Sequence, residues 1–438
     1  MCIWWREEFP IASFPYLTGF ESTYMPHAQV DSLHTTRHTK HYRHDLALVR
    51  SAGVRSLRYP APWHSIESRR GTYEWGWMDE AMGTMRELSL DPIVDLVHHT
   101  SFPDWLEGGF SNPELPRAEL EFAQAFAERY PWASRYTVFN EPWLTTFMCG
   151  HQGVWPPHGR EPETFVPMLL NVGRTICDVS AMLSDKVQGL QLIHVETCEH
   201  HKAADADSEA FVLNLNNRRF LMHDLVLGRI DEGYPMYGYL SAYGMTAEDV
   251  RWFSEHPARI DVLGLDYYSH SEYQFHKHGA VVPSAAPRGF AAVARDYIER
   301  YHLPVMLTET NIRGYVFDRI SWLKYMAEQC EQLVAEGADF RGFCWFPFID
   351  STDWDSLLQQ TLGNVDPVGI YWLDASRETR YPSLLSKCFG QLARGEINAA
   401  DLPAYRFQPP LDQELRGFLP QMAHWDWQEP LEIRKRTA

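Results

Sequence analysis

Short apolar runs and longer amphipathic stretches alternate along most of this 438-residue chain. Runs rich in apolar and β-branched residues predict eight strands, at 16–19, 54–59, 92–98, 136–140, 190–195, 262–267, 305–308 and 342–346. Helices are predicted between and after them, at 41–52, 77–89, 117–130, 164–184, 208–227, 246–256, 289–301, 318–336 and 383–394. Such alternation is typical of an α/β fold with parallel strands, and eight units predict a (β/α)8 TIM barrel. An open, doubly wound sheet is the alternative, but no glycine-rich fingerprint follows an early strand.

The barrel is expected to be a single domain covering residues 1–396. No internal repeat, low-complexity tract or long linker divides this stretch. Residues 397–438 are polar and contain proline, so this tail is expected to pack on the barrel or to extend from it.

Composition excludes several classes of function. The formal charge of −19 argues against nucleic acid as a partner. No apolar run approaches the roughly 20 residues that span a membrane, and the N-terminus lacks the pattern of a signal peptide. Seven scattered cysteines without a C-x-x-C pair favour reduced thiols, and therefore a cytoplasmic protein. The oligomeric state is not indicated.

Two glutamates stand at the ends of predicted strands, where a barrel of this kind presents its functional side chains. Glu141 follows the fourth strand and Glu309 the seventh. Cleavage of a glycosidic bond needs a proton on the leaving oxygen and negative charge near the anomeric carbon, and two carboxyl groups in different protonation states supply both. The pair predicts an enzyme that acts on a small-molecule glycoside or oligosaccharide and requires no cofactor or metal.

Neighbouring residues suggest how the two carboxyl groups divide the work. Glu141 has few cationic neighbours, so burial is expected to keep it protonated as the acid. Arg58, at the end of the second strand, is the expected counter-charge for Glu309, and Tyr268 an expected hydrogen-bond donor to it. Asn140 is expected to reach the 2-hydroxyl of the sugar.

Segments around both glutamates resemble glycoside hydrolase family 1, the β-glucosidase type of barrel enzyme. Residues 137–142 read T-V-F-N-E-P, similar to the family's T-x-N-E-P, and 308–311 read T-E-T-N, similar to T-E-N-G. Weaker matches follow in family order at 57–63, 99–106, 265–269 and 345–354. The resemblance extends from about residue 14 to residue 395.

This resemblance implies a retaining exo-β-glycosidase with a two-step double displacement. Glu309 is the implied nucleophile and Glu141 the implied acid and base, with a carboxyl separation of roughly 5–5.5 Å. Further residues are implied to contact the substrate: His99, Trp345, Asp353, Trp354 and Glu21.

The chain departs from the family pattern where the sugar is held. Residues 19–23 read G-F-E-S-T, without the usual glutamine. Asp266 stands where asparagine is usual, Asn311 where glycine is usual, and Asp353 where glutamate is usual. These changes predict an altered grip on the sugar, so glucose is not implied as the substrate. The lysine-containing loop of phospho-sugar members is absent after Trp345, which argues against a 6-phosphorylated substrate.

Two other functions stay open at this point. A transglycosylase would use the same covalent step with an apolar acceptor site, for which Trp143, Phe147 and Trp155 are candidates. A carbohydrate-binding barrel that has lost turnover would also fit the altered sugar grip. Histidines spaced four, three and three residues apart could share one helix face as metal ligands, but interleaved basic residues favour a solvated or partner-facing surface instead: His34, His38, His41 and His44.

Overall fold

The computed structural model describes residues 14–26, 28, 30–277, 279–284 and 286–403. Eight parallel strands close into a barrel in chain order. They are β1 Tyr16–Gly19, β2 Ser56–Pro60, β3 Asp91–His98, β4 Arg135–Asn140, β5 Gln191–Thr197, β6 Val262–Asp266, β7 Val305–Glu309 and β8 Phe340–Trp345. The predicted TIM barrel is confirmed, and the open sheet is excluded because β8 pairs with β1. Residues 404–438 of the expected tail lie outside the described residues.

Helices surround the barrel between the strands. The longer ones are His38–Ser51, Gly76–Glu87, Leu115–Arg129, Pro142–Gly150, Pro162–Lys186, Glu209–Arg218, Ala247–Glu255, Phe290–Tyr301, Val316–Ala335 and Leu384–Ala393. Shorter ones are Ser32–Thr35, Trp63–Ile66, Leu221–Val226 and Tyr237–Ala242. The helix predicted at 208–227 is thus two helices, and Pro142–Gly150 was not predicted. Pro142–Gly150 starts directly after β4 with proline in its first turn, where a missing N–H costs nothing.

Pro162–Lys186 is, within the described part of the chain, the helix whose length and apolar composition would suit a membrane span. Of its most apolar stretch, 72% is buried inside the protein. Its apolar side chains pack against Leu115–Arg129 and Pro142–Gly150, so this composition is explained by the core.

Apolar side chains fill the interior of the barrel. They form one buried cluster of Leu17, Ile93, Ile193, Val195, Val262, Met306, Cys344 and Phe346. Gly19, the last residue of β1, lets the Phe346 ring lie against the strand, since a Cβ there would lie 2.7 Å from ring carbons. The cluster blocks the barrel axis, so a cavity above it at the C-terminal ends of the strands is closed at its base.

Candidate active site

Glu309 is the last residue of β7, and both of its carboxyl oxygens accept hydrogen bonds from other strand ends. Arg58 Nη1, from β2, donates to Oε1 at 2.5 Å. The Tyr268 hydroxyl, two residues after β6, donates to Oε2 at 2.6 Å. The structure therefore places Arg58 and Tyr268 where the sequence predicted them, on Glu309.

Arg58 also joins two further strand ends to this group. Its Nη2 donates to Asp95 Oδ2 and to Asn140 Oδ1, both at 2.6 Å. Asn140 thus has its oxygen fixed by Arg58, while its Nδ2 is buried without a hydrogen-bond partner in the described structure. This orientation leaves the amide N–H₂ of Asn140 as an unused donor beside the two glutamates.

Glu141 has a different environment from Glu309. Its backbone is left-handed, with φ 46°, and its N–H donates to Val195 O at 3.0 Å, which directs the side chain inward from the end of β4. The nearest ring nitrogen to its carboxyl group is His99 Nε2, 3.7 Å from Oε2. Burial lowers the pKa of His99 well below its usual range, and nearby His98 lowers it further. His99 is therefore neutral and gives Glu141 no counter-charge.

The two glutamates differ in how firmly they hold a proton. Burial raises the pKa of Glu141 well above its ordinary value, and Asp266 and Glu309 raise it further. Burial also raises the pKa of Glu309, but Arg58 and Tyr268 oppose that rise. This increase for Glu309 is not predicted by the sequence, which indicated only the opposing effects of Arg58 and Tyr268. The order is nevertheless as expected, because Glu309 with its cation and hydroxyl donor loses its proton before Glu141.

Three carboxyl groups meet in this site, one more than the predicted pair. Glu141, Asp266 and Glu309 each place one carboxyl oxygen within 4.8 Å of the others. Asp266, the last residue of β6, accepts a hydrogen bond from Thr308 Oγ1 at 2.6 Å through Oδ1. The sequence analysis noted Asp266 only as a departure from a family pattern and gave it no role.

A line of alternating charges continues from Arg58 to Glu21. His98 lies between Asp95 and Glu21, with Nδ1 3.2 Å from Asp95 Oδ2 and Nε2 3.7 Å from Glu21 Oε2. Burial disfavours charge on both His98 and Glu21, yet their attraction raises the pKa of His98 to about 10 and lowers that of Glu21 to about 2. No role was predicted for His98 from the sequence. Its contact with Glu21, which follows β1, joins segments far apart in the chain, so no local sequence pattern indicates it.

The cavity above the three carboxyl groups has a polar side and an apolar side. Of the predicted substrate contacts, Glu21, His99 and Trp354 line it, together with Glu141 and Glu309. The His99 and Trp354 rings lie 5.6 Å apart between centroids and meet edge to face, with 60° between their planes. The apolar side is formed by Leu144, Met148, Val154, Trp155 and Leu357.

Two predicted substrate contacts do not line the cavity. Trp345 is fully buried and does not line the cavity, because its Nε1 donates to Val368 O at 2.9 Å behind the wall. Asp353 is also buried, and its carboxylate accepts the backbone N–H groups of 362, 363 and 364 at 2.9–3.2 Å. Those bonds hold a loop, so Asp353 has no free oxygen aimed at a sugar.

The candidate acceptor site is only partly formed as predicted. Trp155 lines the cavity, whereas Trp143 and Phe147 stack on each other 5.1 Å apart and lie outside its lining. Leu144 and Met148 of the same helix line the cavity in place of Trp143 and Phe147. Residues four apart share a helix face, so one such pair faces the cavity and the other does not.

The histidine cluster does not form a metal site. His38 is buried and bonded to Asp45 and Tyr59, at 2.8 and 3.1 Å. His41 pairs with Glu378 at 2.7 Å near the surface. These two rings therefore have separate partners. The predicted solvated surface fits His41 but not His38, which is fully buried.

Comparison with known proteins gives distant matches along most of the chain. No family model matches. The bifunctional β-D-glucosidase/β-D-fucosidase of Bifidobacterium breve is 22% identical over 367 residues, covering 71% of this chain and 78% of that protein. β-Glucosidase 4 of Oryza sativa is 22% identical over 429 residues, covering 83% and 86%. The Thermotoga maritima β-glucosidase solved in complex with glucoimidazole superposes with a TM-score of 0.75 at 18% identity, covering 88% of this chain and 99% of that one.

Proteins named β-glucosidases are thus distant relatives of this chain over most of its length. The relatives and the barrel agree with the resemblance expected from the two glutamate motifs, and they support the expected enzyme class, a glycoside hydrolase. Because identity to the solved structures is below 25%, that likeness bears on the fold alone.

Proposed function

We propose that this protein is a retaining exo-β-glycosidase, with Glu309 as nucleophile and Glu141 as acid and base. The observation that carries the proposal is the contrast between the two carboxyl groups. Glu309 is held by Arg58 and Tyr268, whereas the nearest ring nitrogen to Glu141 belongs to a neutral histidine. One anionic and one protonated carboxyl group are the two states that this chemistry requires.

The separation of the groups supports retention. Their nearest oxygens lie within 4.8 Å, which suits the roughly 5–5.5 Å of retaining enzymes and leaves no room for the water that inverting enzymes place across roughly 6.5–9.5 Å. In the first step Glu309 bonds to the anomeric carbon while Glu141 gives its proton to the leaving oxygen. In the second step Glu141 takes a proton from water, which displaces Glu309.

The closed base of the cavity supports exo action. Phe346 and the apolar cluster beneath it fill the barrel axis, so a sugar can enter only from the open mouth. A terminal residue of a chain fits such a cavity, whereas an internal residue would need an exit on the far side. The unused Nδ2 donor of Asn140 is available to the sugar 2-hydroxyl.

Nitrophenyl β-glycosides test the activity and the roles together. A panel of glucoside, galactoside, fucoside, mannoside and xyloside should yield at least one substrate of the unmodified enzyme. Glu309→Ala should lower kcat roughly 10⁴-fold or more, and Glu141→Gln should lower it by about 10²–10⁴-fold on substrates with poor leaving groups. Circular dichroism should show that both variants stay folded.

Azide separates the two roles, because it can occupy the space of a removed carboxylate. Glu309→Ala with azide should give the α-glycosyl azide, and Glu141→Ala with azide the β-glycosyl azide. NMR of the first product of the unmodified enzyme should show the β-anomer. An α-anomer would contradict retention, and a folded protein that turns over no glycoside and is not labelled by 2-fluoro glycosides would favour a carbohydrate-binding barrel.

Transglycosylation is the second candidate, favoured by the apolar wall that includes Leu144, Met148 and Trp155. An apolar wall binds an organic acceptor better than it orders water. Product ratios in the presence of an aliphatic alcohol measure this preference. A ratio of transfer to hydrolysis that rises well above the molar ratio of alcohol to water would favour the transferase.

A further inference from the structure

Asp266 is buried in the centre of the site, and one of its two carboxyl oxygens forms no hydrogen bond in the described structure. Its exposed fraction is 1%. Oδ1 accepts from Thr308 Oγ1 at 2.6 Å, while Oδ2 has no hydrogen-bond partner among the described residues. An ionised oxygen left in this state would be costly, since a buried charge needs a donor or a counter-charge.

The supply of positive charge in the site sets how many of its carboxyl groups can ionise. Arg58 is the cation in contact with the cluster, and it contacts Glu309 and Asp95 but not Asp266 or Glu141. Glu309 has two strong donors, Glu141 has none at hydrogen-bond distance, and Asp266 has one hydroxyl. Three carboxylates within 4.8 Å of one another cannot all be charged under these conditions.

We propose that Asp266 is a positioning residue of this site. It stays a neutral carboxylic acid in the resting enzyme and turns its O–H toward Glu141 and Glu309, which leaves the single negative charge of the cluster on Glu309. The inference rests on the roles proposed for those two glutamates. It gives a use to the unpartnered Oδ2, because a protonated oxygen there is the donor that the carboxyl group of Glu141 lacks.

The surroundings of Asp266 agree with a neutral group. Burial raises its pKa well above the ordinary range, and the charge of Glu309 raises it further, while Arg58 and hydrogen bonds with Thr308 and Glu141 act in the opposite direction. The titratable and charged groups that face it from the packed elements are Glu309, Glu141, Arg58, Tyr268, Cys198 and Cys344. Among them Arg58 and a hydrogen bond with Glu141 favour ionisation, but the guanidinium of Arg58 already donates to Glu309, Asp95 and Asn140.

Asp266 should act on the proton held by Glu141. Asp266 and Glu141 together hold two protons in the resting enzyme. When pH rises and one of these protons is lost, the two carboxyl groups can share the other. The negative charge that the pair then carries makes loss of this last proton harder. The alkaline limit of activity, which requires protonated Glu141, is thereby moved to higher pH. The acidic limit reports protonation of Glu309 and is unaffected by a group that is neutral there.

The test is the pH dependence of kcat/KM for Asp266→Asn, on whichever aryl β-glycoside the unmodified enzyme hydrolyses. Asparagine keeps the size and a donor but cannot titrate. The alkaline limb should move to lower pH by on the order of one pH unit, with the acidic limb unchanged. Glu119→Gln, which neutralises a buried carboxyl group on the helix Leu115–Arg129, is the matched control and should move neither limb.

A second measurement does not depend on turnover. With ¹³C-labelled aspartate, one carboxyl resonance should remain protonated at pH 7 and be missing in Asp266→Asn. Unchanged limbs together with an Asp266 resonance that titrates at ordinary aspartate pH would overturn the inference. If no glycoside is hydrolysed, the proposed function fails, and the carboxyl titration still decides whether Asp266 is neutral.

Discussion

At the scale of single residues, the site depends on which donor each carboxyl oxygen receives. Glu309 and Glu141 are both buried glutamates, each with an exposed fraction of 4%. The difference between them comes from Arg58 and Tyr268, which donate hydrogen bonds to Glu309 but not to Glu141. A side chain that removes one of these donors should therefore change the protonation of the nucleophile without changing the acid.

Tyr268→Phe tests this at Glu309. The hydroxyl lowers the pKa of Glu309 by bonding to its charged form, so its loss raises that pKa. Activity requires ionised Glu309, and the acidic limb of kcat/KM should move to higher pH, with a decrease in kcat of about 10-fold.

Tyr267→Phe is the matched control for that variant. Tyr267 is adjacent in sequence, but its hydroxyl donates to Glu272 at 2.8 Å, away from the glutamate pair. Its removal should leave the acidic limb in place. An equal shift in both variants would mean that the pH effect comes from a general loosening of the loop after β6.

At the scale of elements, the ends of β1–β4, β6 and β7, or the residues next to them, bring the functional groups to the mouth, and the helices support them by packing. On the helix Leu115–Arg129, this packing also buries a carboxyl group, because Glu119 is completely buried. Both oxygens of Glu119 lack a hydrogen-bond partner within the described structure. Burial raises its pKa well above the ordinary value, so the helix holds a carboxylic acid in an apolar setting.

Glu119→Met should stabilise the protein, because methionine fills similar space without a polar group. The expected gain in free energy of unfolding at pH 7 is about 1–3 kcal/mol. The folded-state pKa of Glu119 is raised, so its cost is absent below the unfolded value and grows as pH rises above it. The difference between variant and unmodified protein should therefore be smaller at pH 4 than at pH 7 in urea unfolding.

Glu121→Met gives the comparison on the same helix. Glu121 is partly exposed and pairs with Arg117 at 2.8 Å on the surface. Its substitution should change stability by no more than about 0.5 kcal/mol. If Glu119→Met destabilises the protein, the carboxyl group has a partner that its surroundings do not reveal.

At the scale of the whole molecule, a chain of alternating charges crosses the barrel mouth from β1 to β7. It consists of Glu21, His98, Asp95, Arg58 and Glu309. These residues come from four strand ends or adjoining loops that are far apart in sequence. This series of ion pairs therefore forms only when the barrel is closed. Its ion pairs are buried, and removing one member leaves its neighbours uncompensated.

His98→Gln should destabilise the fold in a pH-dependent way. The raised pKa of His98, about 10, means that its contribution is complete below the unfolded value near 6.5 and is lost as pH rises toward 10. At pH 6 the variant should be less stable by about 3–5 kcal/mol. The gap should narrow between pH 7 and 10 in urea unfolding.

His194→Gln serves as the control for His98. His194 is buried too, but burial lowers its pKa to about 4, so it is neutral above pH 6. Its substitution should give a stability difference that is constant between pH 7 and 10. A constant difference for His98→Gln as well would show that His98 is neutral in the folded protein.

The sequence determined the architecture because strand and helix periods are local properties of the chain. All eight barrel strands were predicted to within two residues. The same holds for Glu141, Glu309 and Arg58, because parallel strands bring their C-terminal ends to one mouth whatever the loops between them do.

Only the tertiary structure decided which polar groups have partners already. Asp353 and Trp345 form their hydrogen bonds with backbone groups of a loop after β8. No residue spacing in the sequence predicts these bonds. Asp266 and His98 gained their importance from neighbours on other strands. The physical reason is that protonation and hydrogen bonding depend on distances of a few ångströms between segments, whereas sequence patterns report only the period of each segment by itself.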